Sequence, residues 1–496
     1  MEPVIRHPDQ EQAARQKLKN LHKKFGKKPN ILVFLMDDVG WMDPGFNGGG
    51  ETVGNPTPTM DSLAREGLVL TSAYSTPSCT PTRASIHTGQ DPLHHGLLRP
   101  PVYGEPGGLD GAVTIASILS DLGYFTQGVG KWHMGENEAS LPQNVGYRDY
   151  YGFLSVSNMY TEWRDIYFNP EIALSPSRFA MLQQTPFNHN NVHCIKGQKQ
   201  CDDTYEINLT TLPNLDQDWA DYSEKFIRNM AQSKQPWFLY HATRGCHFDN
   251  YPNDTYAGKS PARTGYSDCM VEMDDILARL VAVLEDSGQM ENTLIVLSSD
   301  NGPECEVPPH GRTPFRGCKA STWEGGVRVP TFAYWKDVIK PRRSDGLFDL
   351  TDLFNTMASL AGAPGAKVAQ YVPKTGYYID GIDQVSFLLA DNGESNRRAH
   401  IYTLNEHLSG SRVDEFKVHK VVELERAIFP RGYQGGFSGA IIPQTGGFTA
   451  TNLYVNPQED ITEGMRHVPA ATIVMHEVTR YQKVLKKYPP NKKISF

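Results

Sequence analysis

No stretch of the 496-residue sequence runs to about 18 consecutive apolar residues, so no membrane-spanning helix is expected. A surplus of positive charge is also missing. The net charge is −8, and nucleic acid is not expected as the main partner without a basic face. Neither a CxxC pair nor an HExxH signature occurs, which leaves a zinc–thiolate or zincin centre poorly supported. No repeat or low-complexity tract interrupts a composition that is 39% hydrophobic and 21% charged, the balance of a globular chain. Residues 1–28 are basic and polar, with no apolar core leading to a small-residue cleavage site. A cytoplasmic location is therefore expected, with periplasmic or secreted forms left open.

Cysteine is scarce. Cys79, Cys194, Cys201, Cys246, Cys269, Cys305 and Cys318 are too few for a disulfide scaffold, and reduced thiols are expected, although Cys194 and Cys201 are close enough for a local pair. The sequons at Asn208 and Asn253 weigh little for secretion, because such triplets arise by chance. Within the basic arm 1–28, residues 11–25 read as a cationic helix with Ala14, Leu18, Leu21 and Phe25 on one side. Such a helix is expected to pack on its own domain or on a neighbouring subunit, which leaves a homo-oligomer open.

Apolar runs suited to buried parallel strands are plentiful. Ile31–Met36 ends in Asp37 and Asp38, and "GYFTQGVGKWHMG" carries Lys131 and His133. "QPWFLYHATRGCH" leads to His247, and "NTLIVLSSDNGP" ends in Asp300 and Asn301. Helix-like stretches precede the last three, so a layered α/β domain is expected over residues 29–396. Residues 155–215 show no sustained period and read as an insertion over the sheet, lining the substrate entrance. Strand-like "HIYTL", "FKVHKVVEL" and "TNLYV", followed by a helix from "PAATIV" onward, predict a small α+β subdomain over 397–496.

Polar residues at the carboxyl ends of neighbouring parallel strands can build one site. Asp37, Asp38, Asp300 and Asn301 offer hard oxygen ligands for calcium or magnesium, although either pair alone would read as a turn or helix cap. Lys131 and His133 would face one side of an extended segment. Cys79, in "SCTPTRAS", is harder to place. A buried hydrophobe, a disulfide half and a thiolate nucleophile all remain open, and a soft thiolate suits no hard cation.

Together these stretches strongly resemble the type I sulfatases of the alkaline phosphatase superfamily. The signature Cys-x-Pro-x-Arg is present as Cys79-Thr80-Pro81-Thr82-Arg83. It is joined in order by "NILVFLMDDVGW", "GKWHMG", "SSDNGP" and "GCKASTWEGGVRVP". The resemblance implies an alkaline-phosphatase-like fold: a largely parallel, mixed sheet between helices, with a small α+β C-terminal domain. It also implies oxidation of Cys79 to Cα-formylglycine by a formylglycine-generating enzyme, and one calcium ion held by Asp37, Asp38, Asp300, Asn301 and the diol at position 79.

The implied activity is arylsulfatase-type hydrolysis of a small-molecule or saccharide sulfate ester by double displacement. One hydroxyl of the diol attacks sulfur while Lys131 and Lys319 hold the sulfuryl charge, and His247 assists the leaving group. His133 then deprotonates the second hydroxyl to expel sulfate, and Arg83 orients the residue. A serine at Ser155 or Ser157 would touch the sulfate. "HATRGCHFDN" is more polar than the family's usual run into its histidine. Related formylglycine sites cleave phosphonate monoesters and phosphodiesters, which is the alternative activity. A calcium-dependent receptor for sulfated ligands is the non-enzymatic one.

Overall fold

The apolar run after Pro29 forms the strand Asn30–Met36, buried at all seven positions. A strand buried on both faces belongs inside a parallel sheet. In the computed structural model it pairs in parallel with Thr293–Ser299 on one side and Trp237–Ala242 on the other. Parallel pairing continues outward through Phe125–Lys131 to Asp149–Phe153. These five strands form the centre of a ten-stranded mixed sheet. The structure describes residues 1–101, 105–156, 170–183, 190–374, 376–424, 440–444, 450–459 and 466–490.

Alternation along Asn30–Met36 divides the core in two. Ile31, Val33 and Leu35 join a cluster with Ile118 and Leu119 of the helix Ile115–Asp121, and with Phe354 and Met357 of Asp352–Leu360. Leu32, Phe34 and Met36 join another with Trp219 of the helix Leu215–Met230 and Met273 of Gly265–Asp286. Each such side chain, fully buried, contributes about 1.5–3 kcal/mol. The sheet is thereby sandwiched between helices, and its strand ends are held rigidly.

The described residues of 155–215 differ from the insertion expected over the sheet. Asn190–Ile195 and Asp202–Glu206 lengthen its edge as antiparallel strands beyond Asp149–Phe153. Residues 157–169 and 184–189, including Ser157, lie outside the described residues. The expectation of reduced thiols is corrected as well. Cys194–Cys201 and Cys305–Cys318 are disulfides, while Cys79, Cys246 and Cys269 are free and buried. Pairing follows proximity in space, and the fold brings the Cα atoms of Cys305 and Cys318 to 6.0 Å.

The basic arm packs on its own chain. Its helix Pro8–Phe25 buries Ala14 and sets Leu18 and Leu21 against the core, while Lys17 Nζ donates to the carbonyls of Val338 and Leu389 at 2.8 Å each. At the other end, Ala399–Leu404, His407–Val413, Phe416–His419 and Ala450–Asn452 form a four-stranded antiparallel sheet, packed against the helix Val468–Lys487. A buried ionic network joins this sheet to the larger domain. Lys417 Nζ donates to Glu324 Oε1 at 3.0 Å and to the Thr322 carbonyl at 2.8 Å, and lies 3.0 Å from Glu459 Oε1. Among the described residues no helix is long and apolar enough to cross a membrane.

Candidate active site

Residues 79–88 form a helix beginning at Cys79. Pro81 falls in its first turn, where a missing N–H costs nothing. Arg83 follows Cys79 by four residues, so the two side chains share a face. The spacing of the CTPTR motif thus has a geometric meaning: it places residue 79 at the positive end of a helix and a guanidinium one turn behind it.

Three parallel strands bring most of the remaining residues to that point. Asp37 and Asp38 follow Asn30–Met36, Asp300 and Asn301 follow Thr293–Ser299, and Lys131 ends Phe125–Lys131. Gly130, with φ +98°, lets this last strand run close to its neighbour; a Cβ there would sit 1.8 Å from the Ala242 carbonyl oxygen. Asp38 and His133 also take left-handed φ values, 58° and 57°. His133 therefore leaves the extended segment expected of it, and the Thr80 hydroxyl donates to its carbonyl at 2.6 Å.

Lys131 Nζ donates to Asp37 Oδ2 at 2.7 Å, and Lys319 Nζ donates to Asp38 Oδ2 at 2.7 Å. Arg83 donates to Asp300 Oδ2 from Nε and Nη2, at 3.0 and 2.7 Å, and from Nη1 to the Lys131 carbonyl at 3.0 Å. His247 Nε2 lies 3.3 Å from Lys319 Nζ and 3.8 Å from Asp38 Oδ2. Cys79 Sγ lies 3.8 Å from Asp37 Oδ1. Every residue singled out from the sequence motifs is thus in one buried cluster, none more than 2% exposed. Ser155 is also buried.

Burial governs the protonation states. Burial and the charge of Asp300 push the Cys79 thiol far above its ordinary range. An unmodified cysteine here is a protonated thiol, and a poor nucleophile. Burial, with the cationic field of Lys131 and Arg83, holds His133 well below its usual value; burial with Lys319 and Lys131 does the same to His247. Both imidazoles are therefore neutral. His133 Nε2 contacts the Pro101 carbonyl at 3.3 Å, which assigns the proton to Nε2 and leaves Nδ1 as a lone pair with no partner. Burial raises Asp37 on its own account, yet the charges of Lys131 and Arg83 hold it below the carboxylate range.

A hard cation fits this donor set. Asn301 Nδ2 donates to Asp38 Oδ1 at 2.7 Å, while Asn301 Oδ1 is buried with no partner. An orphaned carbonyl oxygen beside carboxylates is a ligand in waiting for calcium or magnesium. Ligand atoms of Asp37, Asp38, Cys79 and His247 lie within 4.8 Å of one another. Asp300 stands just outside that group, with Oδ2 engaged by Arg83 and Oδ1 accepting from the Asp38 N–H at 3.2 Å.

Two further residues bear on the site and were not anticipated. Tyr240 OH accepts from Arg83 Nη1 at 3.4 Å, and only strand alternation within Trp237–Ala242 could have pointed to it. Buried Glu304 adds negative charge near Lys319, and its place beyond "DNGP" carried no signal.

The sulfatase family model matches residues 29–363, and the AslA C-terminal domain model matches residues 409–486. N-acetylgalactosamine-6-sulfatase of Canis lupus familiaris is 29% identical over 406 residues, covering 79% of this chain and 71% of that protein. Arylsulfatase A of Homo sapiens is 29% identical over 401 residues, covering 75% and 70%. The crystal structure of PsFucS1 sulfatase from Pseudoalteromonas sp. matches with a TM-score of 0.93 at 38% identity, across 99% of this chain and 97% of that one.

Proposed function

The chain belongs to the sulfatase family, and on that premise we propose that this sulfuric ester hydrolase splits an aryl or saccharide sulfate into a phenol or alcohol and inorganic sulfate, using a formylglycine made from Cys79. The observation that carries this reading is the surroundings of position 79. It lies at a helix N-terminus among three cationic side chains, with a thiol that burial keeps protonated. Oxidation to a hydrated aldehyde would replace that inert thiol with two hydroxyls: one to attack sulfur, the other to release sulfate by collapse.

A bound divalent cation, which Asp37, Asp38, Asp300, Asn301 and the oxygen at position 79 would hold, supplies Lewis acidity toward the sulfuryl oxygens. Calcium suits the all-oxygen set best. Lys131 and Lys319 add fixed positive charge where the transition state gathers negative charge. His247 Nδ1 meets the Phe248 carbonyl and Nε2 lies 3.3 Å from Lys319 Nζ, so the proton for the departing oxygen would come from the Lys319 ammonium with His247 assisting. His133 keeps the free lone pair on Nδ1 needed to take a proton from the hydrated residue. Arg83 orients Asp300 and the strand end that bears Lys131.

Peptide mass spectrometry of position 79, on protein from its native host, is expected to find the aldehyde. Comparison of kcat/KM for paired aryl sulfate and aryl phosphate esters is expected to favour sulfate by on the order of 10²-fold or more. A ratio favouring phosphate or phosphonate would move the assignment to the alternative hydrolase. An intact thiol, with sulfated ligands bound but not turned over, would leave a receptor.

The two disulfides favour an oxidising compartment, periplasmic or secretory, over the cytoplasm expected from the first 28 residues. Alkylation of freshly lysed native cells is expected to leave Cys194, Cys201, Cys305 and Cys318 unlabelled until reduction.

A further inference from the structure

We propose that the Cys305–Cys318 disulfide positions Lys319 for the reaction, by closing the loop that leaves the site at Asn301 and returns to it at Lys319. The inference rests on the reading of Lys319 as the group that stabilises sulfuryl charge. Between the end of Thr293–Ser299 and the start of the short helix Glu324–Val327 there is no helix or strand, so no ladder of backbone hydrogen bonds fixes this stretch. Both of its ends nonetheless supply the site: Asp300 and Asn301 at one, Lys319 at the other. The disulfide spans 13 positions and stands one residue before Lys319.

Non-covalent ties hold this stretch at several points, among them Arg316 Nη1 to the Glu459 carbonyl at 3.0 Å and Lys417 Nζ to the Thr322 carbonyl at 2.8 Å, and the disulfide adds a covalent tie directly beside Lys319. The Lys319 N–H donates to the Pro303 carbonyl at 2.9 Å, the Ala320 N–H to the Pro77 carbonyl at 2.6 Å, and the Ser321 hydroxyl to the Cys318 carbonyl at 2.7 Å. Ala320 holds a left-handed φ of 66° to make its bond. A lysine has four rotatable bonds, and Nζ stays 2.7 Å from Asp38 and 3.3 Å from His247 only while its Cα is held. Cys318 is buried, whereas Cys305 is partly exposed and open to a reductant. The second disulfide, Cys194–Cys201, joins edge strands of the large sheet and borders none of the site residues. It serves as an internal control.

The test is a double-mutant cycle on mature enzyme, with kcat for an aryl sulfate normalised to the fraction of protein modified at position 79. Cys305→Ser/Cys318→Ser is expected to lower kcat by on the order of 10²-fold, the effect of a misplacement of about 1 Å, and to change KM by less than about threefold. In a Lys319→Ala background the same pair is expected to cost less than about threefold, because the group it positions is gone. Cys194→Ser/Cys201→Ser is expected to leave kcat within about twofold. An equal loss in both backgrounds, or none in the first, would overturn the proposal. Lys319→Ala alone costing under about tenfold would instead sink the reading of Lys319.

Should the serine pair not fold, dithiothreitol on the wild type replaces it. Two electrons and two protons pass from the dithiol to the disulfide, giving two cysteine thiols and cyclic oxidised reagent. Activity is expected to fall in step with reduction of Cys305–Cys318, followed by alkylating withdrawn aliquots, and to return when the unalkylated remainder is reoxidised. Full activity with both residues alkylated would overturn the proposal.

Discussion

Cys79→Ala is expected to lower kcat/KM for an aryl sulfate by on the order of 10⁵-fold, the scale on which removal of a nucleophile acts. The helix Cys79–Thr88 should survive, because alanine is the strongest helix former and the change removes only the atoms beyond Cβ. Unfolding midpoints are therefore expected to shift by only about 1 kcal/mol in stability. Lys131, Lys319 and the carboxylates keep their pairings in the variant, so binding of the sulfated substrate is retained while turnover is lost. Steady-state kinetics and equilibrium binding on the same preparation separate the two. Turnover within about tenfold of wild type would remove residue 79 from the chemistry.

Lys417→Met is expected to destabilise the protein by about 3–5 kcal/mol, the cost of leaving buried charge without its partner. The ammonium lies against both Glu324 and Glu459, and methionine leaves those two carboxylates facing one another without a cation between them. Urea unfolding at pH 7, monitored through the fold as a whole, measures the loss. The pH dependence has a defined sign. Burial alone would raise both carboxyls, but Lys417, together with Arg328 and Arg412 at Glu324 and with the His419 hydrogen bond at Glu459, holds them below the ordinary 4.5. Their contribution is present above that pH and is lost as pH falls through the lowered values. The variant holds less of it, so the gap between the two proteins is expected to narrow under acid. Activity is expected to fall as well, because Lys417 also ties the Thr322 carbonyl, three residues from Lys319.

Much of this arrangement was legible before any coordinates. Ile31–Met36 and "TLIVLSS" read as buried strands because short, mostly apolar runs have no other economical place, and the polar pairs that end them marked the site. What escaped depended on context. The helix from Cys79 was hidden by Pro81, which reads as a breaker until its first-turn position is known. His407–Val413 contains serine and glycine and shows no alternation, so its strand arises from its neighbours in the sheet. Asn190–Ile195 and Asp202–Glu206 are edge strands whose polar composition resembles loop. The Cys305–Cys318 pair depends on a loop whose path no local pattern sets. Resemblance to the sulfatases supplied the expected modification of Cys79, which no reading of the thiol alone would have reached.

The burial of position 79 has a consequence in time. A side chain 1% exposed within a packed helix cannot enter another enzyme's active site. Its surroundings close only when strands and loops as far along as Lys319 have been made. At ~5–20 residues per second of synthesis, tens of seconds separate Cys79 from Lys319. Any enzyme that oxidises this cysteine must reach it before those surroundings close, on chain that has not yet folded. A mutation that hastens early collapse would thus yield well-folded but inactive protein, and slower synthesis would raise the specific activity of the same sequence.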